Sequence, residues 1–233
     1  MSLQAVEVLE LPQGPTQVQW RRSARARRVS LRIDPRHGRV VVTLPMRAGR
    51  AAGMALLVDH APWVANRLAA LPCLISFVDG ASVPIDGVPH RVRHLPDARG
   101  GAWLANGEIC VAGEAAFLPR RVADLLRREA RQRLGIRVAG KAAAARVRLA
   151  RVTVKDTSSR WGSCAPDGTI MLSWRLVMAP AFVQDYVAAH EVAHLRHMNH
   201  GERFWALVSE LTAHTEAGIA WLRQEGAGLL RTG

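Results

Sequence analysis

A chain of 233 residues holds one large domain or two small ones, and its formal charge of +13 invites a polyanionic partner. No apolar run is long enough to span a bilayer, and the first fifteen residues lack the basic-then-apolar order of a secretory leader, so a cytoplasmic protein without a membrane partner is expected. Cys73, Cys110 and Cys164 are odd in number and far apart, which argues against a disulfide framework or a cysteine metal site.

Residues 1–15 read as a loose lead-in. Arg21, Arg22, Arg25, Arg27 and Arg28 then form a basic run. Val29, Leu31 and Ile33 alternate with polar residues, residues 34–38 contain Asp34, Pro35 and Gly38, and Val40, Val42 and Leu44 alternate again before Pro45, so a β-hairpin is predicted. Met54, Leu57, Val58, Ala61, Val64 and Leu68 recur at helical spacing, and Pro62 predicts a kink or two short helices. Short strands are expected over residues 75–95, around Asp86-Gly87, and Asn106-Gly107 suits a type I′ hairpin turn. His37, His60, His90 and His94 show no ligand spacing.

Composition shifts after Gly113. A helix is predicted from Pro119 to about Ala145, with Val122, Leu125, Leu126, Ala130 and Leu134 on one side and Gly135 and Gly140 as points of division. It carries the second basic cluster, Arg120, Arg121, Arg127, Arg128, Arg131 and Arg133. The class is therefore α+β, with a β-rich N-terminal domain over 1–115 and a second domain over 116–233. Within the latter, residues 147–154 read as a strand, residues 165–168 as a turn, and Ile170, Leu172 and Trp174 as the returning strand. A last helix is expected after Gly201, with Phe204, Val208 and Leu211 facing the core. No internal repeat is visible.

The chemistry concentrates in HEVAH, from His190 to His194, within an apolar helical pattern that starts near Pro180. Histidines four apart lie one turn apart on one helix face and can share a tetrahedral zinc, while Glu191 lies beside the metal as a general base for its water. His197 lies on the same face but too far along the axis to converge with both. His200 suits the third position if the helix ends near Asn199 or Gly201 and the chain turns back. Three histidines leave a fourth position open, the pattern of a catalytic site.

Ser159-Arg160-Trp161-Gly162-Ser163-Cys164, Leu172-Ser173-Trp174-Arg175-Leu176, His190-Glu191 through His194, and Asn199-His200-Gly201 with Phe204-Trp205 occur in this order. Together with the early hairpin, they resemble the YgjP-like family of metal-dependent hydrolases, zincin-type proteins related to the SprT and WLM peptidases, over roughly residues 20–212. The resemblance implies a zincin-like catalytic domain, zinc held by His190, His194 and His200, Glu191 as catalytic acid and base, and the strand near Trp161 lying over the active-site helix. The family usually has serine after the third histidine, where this chain has Gly201.

The first functional expectation is a zinc metallopeptidase acting on a protein or peptide, with Arg160, then Tyr186, as donors to the developing oxyanion. Trp161 and Trp174 are read as packing residues and Cys164 as a structural thiol. The second expectation, which the resemblance permits, is a nucleoside triphosphate diphosphatase acting on UTP, with Arg160, Arg175 or Arg196 holding phosphates. The third is a basic nucleic-acid-binding protein with a vestigial zinc site. Among the 32 basic residues only Lys141 and Lys155 are lysine, so a GC-rich coding bias explains the charge as readily as a nucleic-acid surface. Aromatic residues for base stacking are scarce near both arginine clusters.

Overall fold

The computed structural model describes residues 5–233, which divide into two compact units between Cys73 and Leu74. In the first, β1 (Ala5–Leu11), β2 (Gly14–Ser23), β3 (Ser30–Asp34) and β4 (Arg39–Pro45) make one sheet in the order β1-β2-β4-β3. Val18 and Trp20, then Val40, Val42 and Leu44, alternate onto its inner face. There they meet Leu57 and Val64 from α1 (Arg50–Asp59) and α2 (Ala61–Ala69). Gly53 lets α1 approach, since a Cβ there would lie 2.6 Å from Cζ3 of Trp20. Pro62 sits in the first turn of α2, and of the two expected forms the chain takes two short helices, parted at His60.

The lead-in expectation needs correction. Residues 1–4 lie outside the described residues, but residues 5–11 are an edge strand paired along its length with β2. Its exposed Val6 and Val8 gave no sign of a buried face, because an edge strand is held by backbone hydrogen bonds that leave little trace in side-chain pattern.

The second unit opens with β5 (Ser82–Ile85), β6 (Val88–Leu95), β7 (Ala102–Ala105) and β8 (Glu108–Ala112), ordered β5-β6-β8-β7. Two hairpins are joined through a parallel central pair, β6 and β8, as β2 and β4 join the first sheet. The chain therefore does contain a repeat, of topology rather than of sequence. Asp86 (φ 51°) with Gly87 (φ 79°), and Asn106 (φ 52°) with Gly107 (φ 74°), place both central turn residues in the left-handed region, as type I′ turns require.

The boundary expected near residue 115 falls inside this unit. Val83, Ile85, Val92, Ile109 and Val111 share one core with Leu118, Val122 and Leu125 of α3 (Leu118–Ala144). The shift in composition marks the change from strands to helix, not a domain edge. Gly135 and Gly140 do not divide α3, because buried Leu134, Val138 and Ala142 hold its second half against the core.

A third sheet, β10-β11-β9, contains β9 (Arg151–Lys155), β10 (Gly162–Cys164) and β11 (Thr169–Ser173). β11 returns antiparallel to β10, within the Trp161–Cys164 stretch, and runs parallel to β9. Trp174 does not end the strand; it begins a buried 3₁₀ turn over residues 174–178.

The unit is completed by α4 (Ala181–Ala193), α5 (Glu202–Leu211) and α6 (Thr215–Leu230). α4 packs against α3, α5, α6 and β10. Ala188, Ala189 and Ala193 are fully buried and small enough to let its neighbours approach. α6 was not anticipated, since Gly218, Gly226 and Gly228 lower its helix propensity. Two of these glycines are contact points: a Cβ at Gly218 would lie 2.7 Å from Tyr186, and one at Gly226 would lie 3.1 Å from Trp161.

Polar contacts fix the register of α4. Gln184 donates to Asp86 Oδ1 and to the Ala179 carbonyl, each at 2.8 Å. Lys141 pairs with Asp185 at 2.7 Å, and Thr212 donates to Asp185 at 2.6 Å. Burial pushes the Asp185 carboxyl up, but the hydrogen bonds from Lys141 and Thr212 outweigh it and hold the group below the usual carboxylate range. A depressed carboxyl stabilises the fold above its unfolded pKa, and that stability is lost as pH falls through the folded value. Asp185→Asn is therefore expected to lower urea-unfolding stability by about 1–2 kcal/mol at neutral pH. The difference from the parent chain should shrink on acidification below about pH 4; an equal loss at both pH values would refute it.

Candidate metal centre

His190 and Glu191 lie in the last turn of α4, and His194 is its C-cap. Leu195 and Arg196 donate back to the carbonyls of Val192 and Ala193 at 3.0 and 3.1 Å, a three-residue tightening that ends the helix. The chain then turns, and Gly201 begins α5 without a side-chain cap. This reversal brings His200 to His190 and His194, with one ligand nitrogen from each lying within 4.8 Å of the others.

The donor set fits a metal. Nε2 of His190 and Nε2 of His200 are 3.3 Å apart, while two nitrogens on one tetrahedral zinc at about 2.0–2.1 Å are separated by about 3.3–3.4 Å. His194 Nδ1 lies 3.2 Å from the carbonyl oxygen of His197. A carbonyl only accepts, so Nδ1 carries the proton and Nε2 keeps a free lone pair. His197 thus contributes its backbone, and its ring is not in the cluster. Burial, with His194 and His200 adding to it, pushes the His190 pKa down to about 4, which keeps the ring neutral. His194 is lowered too, chiefly by burial.

Phe204, fully buried on α5, is a core residue by its spacing and part of the motif set that carries the family resemblance. Its ring centroid lies 5.0 Å from that of His190 and 4.6 Å from those of His194 and His200. One aromatic ring therefore backs all three imidazoles. Its helical spacing in α5 pointed to the core and carried no signal of this second role.

Glu191 is buried, and its Oε2 has no hydrogen-bond partner among the described residues. Burial pushes its pKa up to about 7, with Arg160 pulling the other way. Gly162 on β10 makes room for it, since a Cβ there would lie 2.4 Å from Oε1 and 2.6 Å from Cγ. Cys164 also feels Glu191, but burial comes first in pushing its thiol up, so it is no thiolate nucleophile.

A cavity of about 180 Å³ is lined by Trp161, Gly162, Tyr186, His190, Glu191 and Leu222, among others. Tyr186 thus shares a wall with the buried carboxylate, and its ring meets His190 edge-on at 5.8 Å. Trp161, expected as packing, both packs on Gly226 and lines this cavity. Trp174 is purely internal. Arg160 is exposed and lines a neighbouring cleft.

The other candidate arginines are committed within the fold. Arg175 is buried and donates to the carbonyls of Leu229 and Thr232, and Arg196 donates to the Ala145 carbonyl at 2.5 Å. On α3, Arg121 and Arg128 hold the carbonyls of Ala112 and Ala102, Arg133 holds Asp86 and Glu129, and Arg127 holds Asp124. The second basic cluster serves mainly to fasten a helix to its own sheet. The triphosphate and nucleic-acid expectations find no support in it.

A mixed α+β chain that gathers three imidazoles at a helix end beside a buried carboxylate has the parts of a metal-dependent hydrolase. The family described as YgjP-like, metallopeptidase domain, matches residues 27–225. The chain belongs to the YgjP-like family, whose metallopeptidase domain marks it as a metal-dependent hydrolase. No curated protein and no solved structure matches it significantly. No helix among the described residues is long and apolar enough to cross a membrane.

The contact between Gly162 and Glu191 can be tested without catalysis. Gly162→Ala is expected to destabilise the chain by about 1–3 kcal/mol in urea through overpacking. In a Glu191→Ala background most of that cost should vanish. Equal costs in both backgrounds would show that the two residues do not collide.

Proposed function

We propose that the chain is a zinc-dependent peptidase with a zincin-like catalytic domain, in which His190, His194 and His200 hold one ion and Glu191 is the general base and acid. The observation that carries this reading is the convergence of three ring nitrogens, two of them separated by a tetrahedral edge, with a buried carboxylate on the same helical turn. Imidazole donors with an open fourth position suit zinc. Such an ion, when bound, polarises a carbonyl and makes water acidic enough to attack at neutral pH.

The residues of the chain do the rest. Glu191 takes a proton from the attacking water as its oxygen bonds to the carbonyl carbon. It then passes that proton to the amide nitrogen as the C–N bond breaks. Beside a bound cation Glu191 would favour its base form. The closed wall of Gly162 holds the carboxylate in one place. Tyr186 is the favoured oxyanion donor, because it lines the same cavity as His190 and Glu191. Arg160, the first candidate from sequence, lines the adjoining cleft and acts on Glu191 through its charge.

Zinc-loaded protein is expected to cleave an unfolded substrate such as casein. Glu191→Gln should keep its zinc, measured by elemental analysis, and lose cleavage by about 100-fold or more. His200→Ala should lose the metal and the activity together. Retention of full zinc stoichiometry in His200→Ala would overturn the ligand set.

A further inference from the structure

The outer face of the β9–β11 sheet carries a feature that the metal centre does not use. Val152, Val154, Ile170 and Leu172 point into the core, so the alternate residues of these strands point out. There, under the loop of residues 156–160, lies a cleft of about 590 Å³. Arg151, Lys155 and Arg160 line it, with hydroxyls from Thr153, Ser163 and Thr169 between them. None of the three cations forms an ion pair among the described residues. Asp156, the one carboxylate on the lining, lies 3.4 Å from the guanidinium Nε of buried Arg175. Hydrogen bonds from Thr169 hold the Asp167 carboxyl below the usual carboxylate range against burial, and the charge of Arg151 adds to the lowering. The cleft therefore offers positive charge and hydroxyl donors.

Its position ties it to the site. β10 is three residues long, with Gly162 against Glu191 and Ser163 on the cleft. Arg160 lines the cleft, and the next residue, Trp161, lines the cavity that holds His190 and Glu191. β10 is an edge strand of this sheet, so a polypeptide laid along it beside Glu191 would turn alternate side chains to the outer face, where the cleft lies.

We propose that the cleft is a specificity subsite for an acidic side chain of a polypeptide substrate, with Lys155 and Arg160 receiving the carboxylate. This rests on the peptidase reading above and names its substrate class. A side-chain carboxylate matches paired cations and surrounding hydroxyls in charge and hydrogen bonding. No aromatic residue lines the cleft, so nothing there stacks a nucleic-acid base.

The test uses full-length, zinc-loaded protein and quenched-fluorescent peptide pairs that differ only by Glu or Gln at each position flanking the scissile bond. At one or more positions kcat/KM is expected to be about 10-fold higher with Glu, and the preference should weaken as salt is raised. In Lys155→Gln/Arg160→Gln the Glu/Gln ratio should fall towards one. In Lys155→Glu the preference should shift to peptides carrying Lys at that position, an outcome a purely structural role for Lys155 does not produce. Peptides cleaved with equal efficiency whether they carry Glu or Gln would overturn the subsite and leave the peptidase reading standing. Failure to cleave any peptide, with Glu191→Gln indistinguishable from the parent, would overturn the peptidase reading and the subsite with it. Binding of a single-stranded oligonucleotide that is lost in Lys155→Gln/Arg160→Gln, without a Glu preference in peptides, would assign the cleft to nucleic acid and overturn the proposal.

Discussion

The placing of half-buried His190 and buried Glu191 at the end of a largely apolar helix is the constraint around which the second unit is arranged. A carboxyl pushed up to about 7 and an imidazole pushed down to about 4 are both held away from their charged forms. Neither state is favourable without compensation, since a buried polar group lacking a partner costs about 1–3 kcal/mol. The fold meets that cost with close packing on every side. Fully buried alanines thin the body of α4, Phe204 backs the imidazoles, Gly162 leaves room for the carboxylate, and Gly218 lets α6 reach Tyr186. The polar register contacts, Gln184 with Asp86 and Asp185 with Lys141 and Thr212, lie on the turns of α4 before the site. They set the helix position without placing further charge beside the cluster.

The large positive charge separates into parts with different work. Arginines of α3 satisfy carbonyls and carboxylates of neighbouring elements, and Arg175 ties the C-terminal segment to the core through two carbonyls. A guanidinium is well suited to this, because its planar fork reaches several acceptors at once. The two lysines differ in the same way. Lys141 is an internal clamp, whereas Lys155 faces a cleft with no carboxylate bound to it. Net charge alone ranked these roles together; only the partners of each side chain tell them apart.

Much of the site was legible because it depends on short-range spacing. His190, Glu191 and His194 share a face through helix geometry, and the breakers before and after His200 implied a turn back. The left-handed turns at Asp86-Gly87 and Asn106-Gly107 were legible for the same reason, since their backbone angles select the residues that occupy them. What escaped notice lacks a local signature. β1 is held by backbone pairing with little side-chain pattern, and α6 is rich in glycine. The domain edge was misplaced because a change from strand to helix alters composition as strongly as a linker does. The repeated sheet topology was invisible because hydrogen-bonded strand order places no demand on side-chain identity.

The amino-acid order by itself determined which side chains can act together within one or two helical turns, and with them the chemistry of the centre. It left open which distant residues complete that centre. Phe204 behind three rings, Gly162 beneath Glu191 and Leu222 on the cavity wall became partners only when α5, β10 and α6 closed on α4. Local geometry is set by bonds and dihedrals that neighbours in sequence share. Contacts between remote elements are set by which surfaces fit once water is excluded, and that is decided by the whole core at once.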